Sequence, residues 1–561
     1  LKNESTSPLT TSQATLSTTE PKVQITSQGT YTIMAGKTGT APFTVVVDSS
    51  YKGSSIPFHI EVQNAVVTNP DFSVAVGSPP PPPPPPVQAL SIPVIVHSPG
   101  ANGTFWKTDV FLQNPSSENQ TLTLKLLKAE EENQNPPQSI INFSPYSSLT
   151  IKDILDNSGF PEFRGYSLAG LLIEFSSPVP PFVSARIYND QGSEGTYGQF
   201  VPGIPVSNKT RGTAGDIPAY LVGMVKNKKY RSNIGLANVS SSYNELKITL
   251  IDSDGFNFGS QITKVLAPYN VTQIQDIAGA AGLSGDIGAF TVKVESNTKV
   301  DFIAWGSVVD NITGDASFIN DQVQSYNQSL IMGVAHAVGA IGTNWRTDLN
   351  IYNPSSSDLV LRLSYYRYGY DGFTVSKRLS PIPSGGTVII EDVLSNFSGL
   401  NENEAGFIIA YPENSVSKNP VISARTYNDL GTSGTYGQFV SALDFENGGV
   451  LSGKKLYFSG ISMNSNFRAN LGILNADGEN PNTITVSLYD NAGNLVSSFQ
   501  EYMPYPNMGI QINYDSLAAK FEIPSFDGYS IVVSGSTNTF SYISQVDNRS
   551  SDPIFILPSL R

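Results

Sequence analysis

Ser184-Ala185-Arg186-Ile187-Tyr188-Asn189-Asp190, followed by Gly195-Thr196-Tyr197-Gly198-Gln199-Phe200, decides the architecture, because both stretches return in order 239 residues later. The second copies read Ser423-Ala424-Arg425-Thr426-Tyr427-Asn428-Asp429 and Gly434-Thr435-Tyr436-Gly437-Gln438-Phe439. Upstream, Trp106-Lys107-Thr108-Asp109 with Asn114-Pro115-Ser116-Ser117 returns at the same offset as Trp345-Arg346-Thr347-Asp348 with Asn353-Pro354-Ser355-Ser356. Three matches at one offset mark an internal duplication.

Weaker copies follow each strong one. Tyr230-Arg231-Ser232-Asn233 and Phe467-Arg468-Ala469-Asn470 fill the aromatic–basic–small–Asp/Asn slot, and Ser307 to Asn311 and Ser544 to Asn548 fill the later one. The chain therefore reads as four units, A (90–214), B (215–328), A′ (329–453) and B′ (454–561), from a pair duplicated as a pair. The copied pairs are expected to keep a common interface.

Each unit reads as β. Leu122, Leu124 and Leu126 alternate with Thr121, Thr123 and Lys125, and the same period recurs at Leu246/Ile248/Leu250, Leu361/Leu363/Tyr365 and Ile484/Val486/Leu488. Period two buries one face of a strand and leaves the other wet. Short acidic segments such as Asp153-Ile154-Leu155 and Asp392-Val393-Leu394 predict a helical turn at a sheet edge. Gly-led apolar strands beginning at Gly170, Gly288, Gly406 and Gly528 follow. Six or seven strands per unit predict an all-β fold of tandem immunoglobulin-like antiparallel sandwiches. Trp106 and Trp345 are expected to be largely buried.

Residues 1–21 form a Ser/Thr-rich tail, expected to be disordered on its own; half of the first twenty residues are Ser or Thr. Residues 22–78 read as a small β-domain of short strands. Residues 79–89 form a linker whose eight consecutive prolines, Pro79 to Pro86, dictate a polyproline II spacer. The β-domain is short for a complete sandwich, so an open edge is available to a strand from another chain. Lys22 to Ile25 is the better donor candidate.

Composition excludes several classes. There is no cysteine, hence no disulfide, thiolate nucleophile or thiolate metal site. A net charge of −14 disfavours a nucleic-acid backbone partner, and no apolar run reaches the length of a membrane helix. The chain begins at Leu1 without a leader-like segment, as a processed chain or a fragment would. Low charge with abundant Ser, Thr, Asn and Gly fits an extracellular or cell-surface protein.

The A and A′ units resemble a mostly uncharacterised module of secreted bacterial proteins. That module carries a strand ending in Ala/Val-His, a Trp-Arg-Thr-Asp strand, Asn-Pro, Arg-Thr-Tyr-Asn and Gly-Thr-Tyr-Gly-Gln-Phe. Here these are His97 and His336, Trp106 and Trp345, Arg186/Tyr188/Asn189 and Arg425/Tyr427/Asn428. The resemblance implies β-sandwich modules on exported proteins and brings no enzymatic activity with it.

The residues with chemical potential read chiefly as structural. His97 and His336 are candidates for a metal ligand or base, but the one other histidine, His59, lies in a different domain, which favours a half-buried imidazole bonded to backbone. Arg186 and Arg425 share a strand face with Tyr188 and Tyr427 and are placed to meet Asp109 and Asp348. Asn189-Asp190-Gln191-Gly192 and Asn428-Asp429-Leu430-Gly431 suggest turns before calcium. Asn-x-Ser/Thr triplets, as at Asn102, Asn238 and Asn396, permit glycosylation without showing it. No catalytic, cofactor-binding or metal residue is assigned and no cofactor is expected. The sequence points to a non-enzymatic structural or adhesive protein, a subunit of a filament or surface array assembled through its N-terminal β-region. The alternatives are a carbohydrate-binding array and an accessory region of a larger surface enzyme.

Overall fold

In a computed structural model the chain separates into two compact units, Leu1–Pro85 and Pro86–Arg561. The structure describes residues 88–560 except 101–102, 207–216, 322–325, 370–374 and 401; before residue 88 it describes 9–10, 14–27, 32–35, 37, 43–48, 50, 55–62 and 71–75. The proline run lies outside the described residues.

In the first unit, Ala14–Ser17 pairs with Ser55–Val62, which pairs with Asp71–Ala75. Val23–Ser27 pairs with Phe43–Val47. Part of the Ser/Thr-rich tail is thus an edge strand, because Leu16 packs against a small core of Val23, Ile56 and Phe58. The candidate donor segment is itself paired within the chain.

The second unit is all-β, built of two-layer antiparallel sandwiches. In A, one sheet runs in the order 138–143, 120–128, 168–175, 88–96, 204–206, and the other 148–151, 105–113, 182–190, 196–202. B′ repeats the plan with sheets of five and four strands, and B with two sheets of four. In A′ the strand Ser329–Val338 pairs with Glu404–Pro412 of one layer and, at its end, with Asn344–Tyr352 of the other, joining the layers. The alternating leucines do what their period demands: Leu122, Leu124, Leu126 and their counterparts are buried. Burying side chains of this size contributes about 1.5–3 kcal/mol each.

The acidic segments do form turns at the sheet edge. Asp153 and Asp392 adopt left-handed backbone (φ 44° and 42°), with a 3-10 turn over Val393–Asn396. In B and B′ the position opens short α-helices, Ile277–Ala280 and Tyr514–Phe521. The fourth residue of the aromatic–basic–small–Asp/Asn slot explains the recurrence. Asp109, Asn233, Asp348 and Asn470 each accept a backbone N–H at the start of this turn, from Asp153, Asp276, Asp392 and Tyr514, at 2.9–3.2 Å.

The tryptophan expectation is corrected. Trp106 and Trp345 sit at the second positions of their strands and are only half-buried. Period two assigns a face but not a depth along the strand. The buried indole is Trp305 of B, which joins the core of A together with Ile303 and Phe318. Tyr542 and Phe555 of B′ join the core of A′ in the same way. Each pair is therefore fused through apolar contact.

Candidate functional site

Four short strands, Thr196–Pro202, Ala316–Asn320, Thr435–Ser441 and Pro553–Ile556, one from each unit, contact one another in a closed cycle around a central axis. A small cavity of about 50 Å³ on the axis is lined by residues of all four. Two of these strands are the Gly-Thr-Tyr-Gly-Gln-Phe repeats, so the most specific motif of the sequence lies at the junction of the units.

The docking chemistry is carried by aspartates of the B units. In one junction Asp310 Oδ2 accepts from both the backbone N–H and the hydroxyl of Thr435, each at 2.9 Å, and Asp315 Oδ2 accepts the N–H of Gly437 at 2.8 Å. In the other, Asp547 Oδ2 accepts the N–H and hydroxyl of Thr196 at 2.9 and 2.7 Å, and Asp552 Oδ2 accepts the N–H of Gly198 at 2.9 Å. B thus docks on A′ as B′ docks on A, and the second contact closes the cycle between the last unit and the first. Gly195 and Gly434 make this approach feasible. Both have positive φ (93° and 88°), and a Cβ there would lie 2.5 Å from Asp547 Oδ1 and 2.9 Å from Asp310 Oδ1.

The arginines join the same junctions. Arg186 Nη2 lies 3.4 Å from Asp552 Oδ2, with its guanidinium over the rings of Tyr188 and Phe467. Arg425 lies over Tyr230 and Tyr427, donates to Ser317 and Thr435, and stands 3.9 Å from Asp315. The sequence expectation was half met. Arginine and tyrosine stack, but the carboxylates of Asp109 and Asp348 accept from the Tyr188 and Tyr427 hydroxyls, while the arginines meet aspartates of another unit. Burial, the largest effect on Asp348, pushes its carboxyl up to about 6, and burial raises Tyr188 and Tyr427 as well. Burial also raises Asp315 and Asp552, each of which keeps one oxygen without a hydrogen-bond partner.

The axial contact of the copied pairs is preserved: Gln199 accepts from Ser307 at 3.1 Å and Gln438 from Ser544 at 3.2 Å. Their outer contacts differ. A reaches B through Glu130 and Asn133, whereas A′ reaches B′ through Tyr368 and Gly369.

The remaining candidates resolve locally. His97 and His336 bond a carboxylate rather than backbone through their rings, Nδ1 lying 2.9 Å from Asp153 and 2.7 Å from Asp392. These aspartates are the left-handed turn residues, so each histidine ties a strand to its turn. His97, Asp153 and Asp156 have potential ligand atoms within 4.8 Å of one another. Asp156, however, is held by Arg164 at 2.8 Å, and Ser395 takes its place in A′. His59, in the N-terminal unit, lies 2.6 Å from Asp71. Asp190 and Asp429 accept the N–H of Gly192 and Gly431 as turn residues, while Asn189 and Asn428 accept from Phe105 and Asn344 at 2.7 Å, clamping neighbouring strands. The Asn-Pro motif is a loop clamp: Asn353, fully buried, donates to the carbonyls of Ser357, Ile382 and Pro383 at 2.9–3.0 Å.

Sequence reasoning missed Asp310, Asp315, Asp547 and Asp552. Their signal was present, since the Asp-x4-Asp pattern recurs at 237 residues. A cleft of about 380 Å³ between A′ and B′ was also unforeseen; Trp345, Tyr514, Gln511 and Asp515 line it. Among the described residues no helix is long and apolar enough to cross a membrane. No protein-family model matches the chain, and no curated protein matches it.

Proposed function

We propose that this chain is an exported, non-enzymatic structural or adhesive protein, whose four sandwich units form one rigid body and whose N-terminal β-region mediates assembly into a filament or surface array. The observation that carries the reading is the use of the repeated polar signature. Arg186, Arg425 and both Gly-Thr-Tyr-Gly segments are engaged in docking unit to unit. Residues so engaged rigidify a body and leave little of the motif for substrate. The N-terminal sheets of two and three strands, whose outer strands have one partner each among the described residues, support strand addition from another copy. Because Val23–Ser27 is paired in cis, such donation takes the form of strand exchange.

Imaging of the purified native protein tests the reading, alongside a version lacking residues 1–25. Polymers that vanish on the deletion support it. Polymers unchanged by the deletion refute strand donation, and a strictly monomeric native protein refutes the filament.

Carbohydrate binding is the second reading, favoured by the A′–B′ cleft. Its half-buried Trp345 and Tyr514 stand beside the exposed polar side chains of Gln511 and Asp515, a mixture suited to a sugar ring. Glycan-array binding lost in Trp345→Ala supports this reading.

A further inference from the structure

The two B-on-A junctions are copies, and they differ at one place in a way that exposes charge. In the B′–A junction Lys152 Nζ stands 3.0 Å from Asp109 Oδ2. The space beside it is filled by Phe111, so close to Gly460 that a Cβ there would lie 2.2 Å from the ring. In the B–A′ junction the residue at the position of Lys152 is Glu391, and at that of Phe111 it is Asn350. An ammonium is thus replaced by a second carboxylate and a large ring by a small amide. A cleft of about 250 Å³ opens there, and Asp348, Glu391 and Arg425 line it.

The charge at this spot is unbalanced. Among the described residues, no lysine or arginine lies within ion-pair distance of Asp348 or Glu391. Arg425 is turned to Asp315, Ser317, Thr435 and Tyr230. Arg425 lines the cleft and offsets Asp348 in part, but it is shared with Asp315, so the two carboxylates outnumber it and repel one another. The cleft wall continues away from the carboxylates as apolar surface from Val308, Ile319 and Phe439. Calcium takes six to eight oxygen ligands, more than the two carboxylates of this cleft supply.

We propose that the B–A′ cleft binds an alkylammonium group, its charged head at Asp348 and Glu391 and its aliphatic stem along Val308 and Phe439. Lys152 shows the arrangement from within: its ammonium meets Asp109 where the second junction has Glu391 instead. The ligand is a lysine side chain of another protein surface or a free alkylamine, which share this chemistry.

Calorimetric titration of the full chain tests the proposal, with 1-aminopentane as the free amine, Nα-acetyl-lysine methylamide as the protein-lysine mimic, and 1-pentanol and calcium chloride as controls. The amine is expected to bind at least about tenfold more tightly than pentanol, which has the same stem without the charge. Glu391→Lys, which rebuilds the Lys152 pair, is expected to abolish binding, and Glu391→Gln to weaken it. Position 391 is exposed, and an unchanged thermal transition verifies that both variants fold. Binding of the lysine mimic comparable to that of the amine assigns the cleft to a protein side chain, and binding of the amine alone assigns it to a small molecule. Four results overturn the proposal: no binding of either amine, equal binding of pentanol, binding undiminished in Glu391→Lys, or calcium binding that Glu391→Lys removes.

Discussion

Replacing Asp552 by Ala removes the docking carboxylate of the junction that closes the cycle. Asp552 is fully buried, accepts the Gly198 N–H at 2.9 Å and faces Arg186, itself buried, at 3.4 Å. The variant leaves that N–H unsatisfied, at about 1–3 kcal/mol, and Arg186 without its counter-charge, which for a broken buried pair costs about 3–5 kcal/mol. These costs overlap. The long ion-pair distance and the upward shift of the Asp552 carboxyl by burial place the sum near the lower end, about 3 kcal/mol. Differential scanning calorimetry reads both the loss and its cooperativity. If Pro86–Arg561 melts as one body, its unfolding entropy makes 3 kcal/mol a shift of only about 3 °C in a single transition. If B′ melts alone, the same loss moves its own transition by about 13 °C and leaves the others in place. Asp552→Asn, which keeps an acceptor for Gly198 but not the counter-charge of Arg186, is expected to lose less than Asp552→Ala. A loss below about 0.5 kcal/mol in Asp552→Ala would refute the idea that this carboxylate holds the junction.

Further outcomes follow from burial. Trp305→Ala is expected to cost about 3–5 kcal/mol in chemical denaturation, well above Trp106→Ala or Trp345→Ala, since only Trp305 is fully enclosed. Asn353→Ala removes a donor to three carbonyls, one of them buried, and is expected to cost about 1–3 kcal/mol in the same assay. Asp348 is raised when folded, so the folded state holds a proton that the unfolded chain releases. Its contribution to stability is full below about 4 and is lost as pH rises through about 6. The difference between wild type and Asp348→Asn, measured by denaturation from pH 4 to 8, should follow that slope. A flat difference would contradict the burial of this carboxyl.

Much of the fold was legible because it rests on local rules. The period-two leucines and the turn after Asp153 and Asp392 both follow from residue spacing. The pairing of arginine with tyrosine on one strand face was equally legible. What was not legible depends on contacts between units. Asp310 and Asp547 sit where the repeat is most diluted, and their partners lie in A′ and A, more than one hundred and three hundred residues away. No spacing rule relates a carboxylate in the last unit to an N–H in the first. The tryptophans failed for a related reason, since their exposure depends on where along the strand the opposing layer ends.

Closure of A on B′ is the claim on which the rest depends, and a distance across that junction tests it most directly. Arg549 bridges the carbonyl of Gly192 in A, at 3.1 Å, and the side chain of Asn466 in B′, at 3.2 Å. The chain contains no cysteine, so Ser193→Cys and Asn466→Cys, both at exposed positions, can be spin-labelled alone. Electron–electron double resonance should give one narrow distance, on the order of 20 Å with the label arms included, since compact domains of this size are themselves only about 30 Å across. A broad distribution centred beyond about 40 Å, as four units strung in an open chain would give, contradicts the closed cycle.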